Sequence, residues 1–510
     1  MTFTAPHIDY AGLSPVIALT VGIVVALVGG VLTDRHQRLV VSALSLTALA
    51  AAAGLCIWQW GTREDLVAGA LRLDELGLSA ALIAIFAAAV VIPLSWRDPA
   101  ASPEGTSPRH TEFQVLLLSS VLGMTLLAQA QNLIAFFVAL ELLSVPLYVL
   151  CGSSLHRERS LESGLKYLIV GSLGSATLLY GLAMIYGAAG STDFGTINQV
   201  LANGNATDSL VLMGVALIAT GLAFKTSIAP FHQWTPDVYE GAPTPVTALM
   251  AVATKAAAFV ALARMFDVAL GPIVDDWQPA LSVLAIISIA VGNIGALGQD
   301  SLKRLLGYSG IAQAGYMLVG VAAASAIGVN ALVFYLAAYT LMNLAAFAVI
   351  VIRERETTWG DDIKSVHGLG RERPELAWPL TISMLALAGL PATAGFMGKL
   401  YLIEAAVDAS HTYLGVAIAI GTMISLAYYL RVVAAVWMRP AAEPAPAMAG
   451  GSPEADAEAA AAPWAPKGTR CLAIIVPAAI CAAATVFFGV IPSPLVDWAN
   501  HAGASLAPFF

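Results

Sequence analysis

FKTSIAPFHQWTPDVYEGAPTPVTALMAVATK, residues 224–255, is the stretch from which the rest of the chain can be read. Lys225 closes one apolar run, Ala229-Pro230-Phe231 interrupts it, and Lys255 stands about twelve residues inside the next, roughly 18 Å deep at 1.5 Å per residue. Pro230 removes a helical hydrogen bond, so the run cannot continue as one unbroken helix. GLPATAGFMGKLYL, residues 389–402, repeats the pattern, with Pro391 ahead of Lys399 and with Gly395 and Gly398 loosening the backbone further. A lysine beside a break in an apolar helix brings together freed carbonyls, room for water and a titratable amine, which are the parts of an ion path.

Around these stretches the 510 residues are 58% hydrophobic and 11% charged, with a mean hydropathy of +0.80. That is too little charge to clothe a water-facing surface. Fourteen apolar spans follow one another at about 14–32, 39–58, 76–96, 112–130, 132–152, 160–188, 208–228, 243–268, 278–298, 304–324, 327–352, 376–406, 411–438 and 471–491. Each is long enough to cross a hydrocarbon core of about 30 Å, and in lipid each must be a helix, because every backbone amide needs an internal partner. The expected fold is an all-α polytopic membrane protein with two broken helices, the seventh and the twelfth span. They are five spans apart, so they run in opposite directions, the mark of two inverted five-helix repeats, spans 4–8 and 9–13. The chain then divides into residues 1–111 (spans 1–3), 112–268 (first repeat), 278–438 (second repeat), 439–470 and 471–510 (the last span). The Ala-, Pro- and acid-rich segment 439–470 reads as a disordered cytoplasmic linker.

Sixteen lysines and arginines fall in one alternate set of connections and three, Arg63, Arg72 and Arg264, in the other. This bias predicts the first set in the cytoplasm and both termini outside. The first residues lack the basic stretch of a cleaved signal, so the first span is expected to be retained. With 24 basic against 33 acidic residues, a net charge of −9 and no basic stripe, nucleic acid is excluded as a partner. No Gly-x-Gly-x-x-Gly and no Gly-Lys-Ser/Thr loop offers a home for a nucleotide or redox cofactor. Cys56, Cys151, Cys471 and Cys481 lie in apolar segments without metal-ligand spacing and read as small buried hydrophobes, so no metal site is expected.

Five basic side chains lie inside spans: Lys166, Lys225, Lys255, Lys399 and Arg431. A charge at the bilayer centre costs about 2.5–3.5 kcal/mol even on the mildest scale, so each needs a partner or a purpose. Lys166 and Arg431 lie about two turns from span ends, where a long stem reaches water. Glu141 lies about nine residues into its span, roughly 14 Å deep and near the middle of the core, and like Lys255 is too deep to reach the interface easily. Ser144, Thr226, Ser227, Thr254, Tyr308, Ser309, Gln313, Tyr316 and Asn343 stand in apolar surroundings, as candidates for a water chain or as ordinary helix–helix hydrogen bonds.

FVALELLSVPLYVL (137–150), SLKRLLGYSGIAQAGYM (301–317) and the two stretches around the breaks together resemble the subunit N family of proton-pumping NADH-quinone oxidoreductase, respiratory complex I, over about residues 75–440. That family is one of the antiporter-like membrane subunits. The resemblance implies that Glu141 pairs with Lys225, that Lys255 is the central lysine and Lys399 the terminal one, and that Lys166 is a further lysine of the proton route. It implies no redox chemistry here: NAD, FMN, iron–sulfur clusters and quinone are expected in partner subunits. It also implies membrane-arm neighbours on both sides, another antiporter-like subunit among them, in lipid and in a bacterial plasma membrane. The linker at 439–470 departs from the family and touches none of its motifs. Two other readings use the same helices: a D-type subunit of a multisubunit sodium/proton antiporter, and a passive structural element of the membrane arm.

Overall fold

A computed structural model describes residues 8–33, 36–96, 108–155, 157–204, 209–442 and 472–509. From residue 443 onward the expected linker lies outside the described residues. Among the described residues thirteen helices are long and apolar enough to cross a membrane. They are α1 (Ser14–Leu32), α2 (Gln37–Trp58), α3 (Glu75–Ser95), α4 (Pro108–Gln129), α5 (Leu133–Cys151), α6 (Glu158–Ala189), α8 (Ser209–Thr226), α10 (Thr244–Ala263), α11 (Val274–Leu297), α12 (Leu302–Ala322), α13 (Ala326–Glu356), α17 (Thr412–Met438) and α18 (Leu472–Val490). The remaining span, the twelfth, is two half-helices, α15 (Pro374–Ala388) and α16 (Ala394–Asp408), each too short to cross alone. The expected architecture therefore holds, with boundaries moved by a few residues.

Shorter elements supply what periodicity alone did not give. Helix α7 (Phe194–Asn203) is capped by the Asp193 side chain and buries Phe194, Ile197 and Leu201, one face of an amphipathic helix. Strands β1 (Glu64–Leu66) and β2 (Leu71–Leu73) form an antiparallel hairpin after α2. Helix α9 (Trp234–Gly241) follows the first break, α14 (Leu369–Glu372) precedes α15, and α19 (Ser493–Ala504) follows α18.

The span containing α10 is wholly buried, and α12 and α13 are nearly so, whereas α1, α17 and α18 expose most of their length. Exposed side chains on these rim helices are apolar, such as Val24, Leu27, Ile420, Met423, Val476 and Ile480, as a lipid-facing surface requires. Between helices, small residues admit close backbone approach. A Cβ on Gly292 of α11 would lie 2.3 Å from the Ala312 backbone nitrogen of α12, so only glycine lets these two helices touch.

One expectation is corrected. Arg264 is not a loop residue: α10 runs into a π-helical turn, Arg264–Ala269, where Arg264 is fully buried. Its Nε donates to the Ala128 carbonyl at 2.7 Å and its guanidinium pairs with Asp74, the cap of α3. The pair is internal because a buried guanidinium must have a partner. Removing it from the loop set leaves Arg63 and Arg72 there and sharpens the charge bias.

Candidate functional site

Both breaks are built alike. At the end of α8, Ser227 turns left-handed (φ 64°), its N–H reaches Phe224 O, and the Ile228 N–H reaches Ala223 O. At the end of α15, Gly389 turns left-handed (φ 80°), its N–H reaches Ala386 O, and the Leu390 N–H reaches Leu385 O. This double closure is the Schellman end of a helix, and glycine is suited to it. Pro230 and Pro391 follow each turn and stop the helix from resuming at once. Thr393 then caps α16, its side chain accepting from the Phe396 N–H.

Lys225, on the last turn of α8, is buried. Its Nζ donates to Ser144 Oγ of α5 at 2.8 Å and to the Tyr167 hydroxyl of α6 at 3.1 Å. Glu141, half-buried on α5, accepts instead from Ser175 of α6 and is not in direct ion-pair contact with Lys225 among the described residues. Ser144, which receives Lys225, is one helical turn from Glu141 on the same helix. Tyr167 stacks on Trp234, the first residue of α9 (4.8 Å between centroids, 20° between planes), and Trp234 Nε1 donates to Phe224 O at 3.1 Å.

Lys255 and Lys399 converge on α12 and α15. Lys255 Nζ donates to the Gly310 carbonyl of α12 at 2.6 Å and lies 5.7 Å from the ring centroid of Tyr339 on α13. Lys399 Nζ donates to the Leu387 carbonyl at 2.9 Å, in the last turn of α15 beside the break. Gln313, one turn along α12 from Gly310, donates to the same Leu387 carbonyl at 3.3 Å and to the Tyr429 hydroxyl at 3.3 Å, and accepts from Tyr335. Ser309 shares the Tyr429 hydroxyl. Leu387 O is thus common to Lys399 and Gln313, and Gln313 stands one turn along α12 from the carbonyl that receives Lys255. The ring of Tyr316 lies 5.1 Å from Lys399 Nζ, and its hydroxyl accepts from Asn293, which in turn accepts from Tyr428. The Tyr339 hydroxyl and Asn343 Oδ1 are buried without a hydrogen-bond partner among the described residues.

The other candidates lie differently. Thr254 and Thr226 return their hydroxyls to their own helices, at Met250 O and Leu222 O, and Ser227 accepts from Thr235. Tyr308 is half-buried against Gly295 of α11, away from the lysines. Arg431 reaches the end of α11, at Leu297 O, Gln299 O and Asp300. Lys166 is 42% exposed, held by Glu162 at 2.7 Å and Asp237 at 3.0 Å. Asp237, on α9, takes a second cation, Arg304 of α12, at 2.6 Å. Burial pushes the Asp237 carboxyl up, but hydrogen bonds from Lys166 and Arg304 outweigh it and hold the group below the ordinary carboxylate range. Among the described residues no group of three or more His, Cys, Asp or Glu is placed to hold a metal.

The family model for the transmembrane region of NADH:quinone oxidoreductase and Mrp antiporter subunits matches residues 130–425, which contain both breaks and Glu141, Lys225, Lys255 and Lys399. NADH-quinone oxidoreductase subunit N of Trichlorobacter lovleyi is 38% identical over 460 residues, 90% of each chain. The chain belongs to the subunit N family. A subunit N 2 of Roseiflexus castenholzii is 41% identical over 82% of this chain and 85% of its own. A chain of respiratory complex I from Thermus thermophilus superposes over 95% of this chain and 98% of its own, with a TM-score of 0.76 and 32% identity. A chain of the Mrp complex from a Dietzia species superposes at a TM-score of 0.81 with 22% identity, a likeness of fold alone.

Within this family frame, sequence reasoning missed Tyr167, Asn293, Tyr335, Tyr339, Tyr428, Tyr429, Ser175, Asp237 and Arg304. For Tyr335 and Tyr339 a signal existed: two hydroxyls four residues apart in an apolar span share one helix face. The Leu387 and Gly310 carbonyls carried none, because any residue supplies a carbonyl.

Proposed function

We propose that this chain translocates protons across the membrane as an antiporter-like subunit of NADH-quinone oxidoreductase, with NADH oxidation and quinone reduction in partner subunits that hold the NAD, FMN, iron–sulfur and quinone sites. The observation that carries this reading is two buried lysines held on backbone carbonyls around α12: Lys255 on Gly310 O of α12, and Lys399 on the Leu387 carbonyl it shares with Gln313, one turn along α12 from Gly310. Both amines are nearly fully buried, and neither has a carboxylate within ion-pair reach among the described residues. A static pair would need that acid; a carrier needs a neighbour with which to exchange protons. Two ammonium groups about 10 Å apart, at an effective dielectric of about 20, repel by roughly 1.7 kcal/mol, so loading one favours release from the next.

In this reading Glu141, Lys166, Lys225, Lys255 and Lys399 belong to the route, with Ser144, Gln313 and Tyr316 as bridging groups. The arginine-rich end faces the cytoplasm and both termini face outward, in a bacterial plasma membrane with further membrane-arm subunits on either side. Cysteine labelling at the termini from outside intact cells tests that orientation.

The decisive experiment is proton uptake by the reconstituted complex during NADH oxidation, with Lys255→Met and Lys399→Met compared with the parent chain, in the presence and absence of sodium. Each substitution is expected to lower proton flux while the complex still assembles. Full flux in both assembled variants would refute a route through these lysines, and flux that follows sodium would favour the antiporter reading.

A further inference from the structure

Half-helix α9 is two turns long, too short to hold its own shape, so its position is set by what grips it. The grip on one side is ionic. Asp237 Oδ2 meets Lys166 Nζ of α6 at 3.0 Å, and Asp237 Oδ1 meets Arg304 Nη1 of α12 at 2.6 Å, so each carboxylate oxygen serves a different helix. Glu240, one turn on, takes the same Arg304 nitrogen at 3.0 Å, and Glu162 supports Lys166 at 2.7 Å. On the other side the grip is aromatic: Trp234 stacks on Tyr167 and donates to Phe224 O, the carbonyl immediately before Lys225. Tyr167 in turn accepts from Lys225 Nζ at 3.1 Å.

Lys166 and Tyr167 are consecutive residues of α6. One holds the outer end of α9 through charge, and the next holds its inner end against the Lys225 site. Arg304 belongs to α12, the helix whose Gly310 carbonyl receives Lys255. A single carboxylate therefore ties the break of the first repeat to the helix that serves the central lysine. We infer that Asp237 is a positioning residue: by clamping α9 between Lys166 and Arg304 it holds Trp234 and Tyr167 in place around Lys225, and so sets the geometry in which Lys225 exchanges protons.

Side chains of this clamp are about one-third exposed (Asp237 35%, Arg304 30%). Ion pairs so exposed contribute little to bulk stability, because water screens them and long side chains lose freedom in forming them. Geometry is what a carboxylate shared by two helices supplies here. Lys166 on this account acts through Asp237 and is held, at 42% exposure, by two carboxylates.

This inference rests on the proton-translocating reading, so its test includes Lys225→Met as a control. Proton uptake per NADH oxidised is measured in the reconstituted complex, alongside the amount of assembled complex, for Asp237→Asn, Asp237→Glu, Tyr167→Phe, the Asp237→Asn/Tyr167→Phe double and Lys225→Met. Asp237→Asn is expected to lower flux several-fold at unchanged assembly, Asp237→Glu to restore it, and the double to be no worse than its more severe single, because both residues act through one frame. Parent-level flux in Asp237→Asn, failure of Asp237→Glu to restore it, or losses that multiply in the double would each overturn the proposal. If Asp237→Asn does not assemble, Arg304→Gln, which leaves Lys166 in place, takes its part with the same outcomes. Full flux in Lys225→Met would instead refute the underlying reading.

Discussion

Substituting alanine for Gly310 separates the transport role of Lys255 from its role in the fold. A Cβ at this position would lie 2.6 Å from Lys255 Nζ and 3.2 Å from the Tyr339 hydroxyl, and 3.9 Å from Lys255 Cε. The close atom is the end of a flexible side chain, so the amine swings aside and the backbone stays. That displacement costs about 0.5–1.5 kcal/mol in rotamer strain, while alanine favours the α12 helix over glycine by about 1 kcal/mol. The displaced amine can turn to the Tyr339 hydroxyl, which has no hydrogen-bond partner among the described residues. Stability is therefore expected to fall by at most about 3 kcal/mol, less as the new contact offsets the lost bond, and the complex still assembles. What is lost is the hydrogen bond to the Gly310 carbonyl, 2.6 Å long and charge-assisted, worth about 1.5–3 kcal/mol net. At about 1.4 kcal/mol per factor of ten, that shifts proton exchange at Lys255 by about ten-fold or more. The assay is dye-monitored proton uptake in vesicles, normalised to NADH oxidised and to complex resolved on native gels. The expected result is a well-assembled complex with sharply reduced flux through this chain; parent-level flux would refute the placement of Lys255 on the route.

Two further predictions concern the scaffold. Arg264→Leu takes the close partner from buried Asp74 and leaves it Arg72 at 3.9 Å and the Gly77 N–H, at a cost of about 3 kcal/mol, so assembled complex should fall and recover in part when Asp74→Leu is added, as thermal denaturation of the purified complex will report. Gly489→Ala on α18 would set a Cβ 2.3–2.4 Å from the Thr393 backbone at the α16 cap, where nothing flexible can yield; a loss of about 1–3 kcal/mol is expected, read as a lower melting temperature, and an unchanged one would refute the contact.

The chain itself determined its class and most of its span boundaries, because in lipid a continuous apolar run of about twenty residues has one stable backbone solution, the helix. Pro230 and Pro391 fixed the two breaks in the same local way, by removing a donor, and Lys225, Lys255 and Lys399 were legible as candidates because a charge among apolar neighbours is costly wherever the helices end up. Partners were another matter. That Lys225 meets Ser144 and Tyr167, residues 81 and 58 positions away, follows only from α5, α6 and α8 packing side by side. Backbone carbonyls at Gly310 and Leu387 became sites because a neighbouring helix aimed a lysine at them, and carbonyls have no signature in sequence. Arg264, in the last turns of the run 243–268, read as a loop charge; only the meeting of α10 with the capped start of α3 places it inside, opposite Asp74. Residue type and spacing set which groups are costly to bury, whereas the tertiary arrangement decides which of them compensate one another.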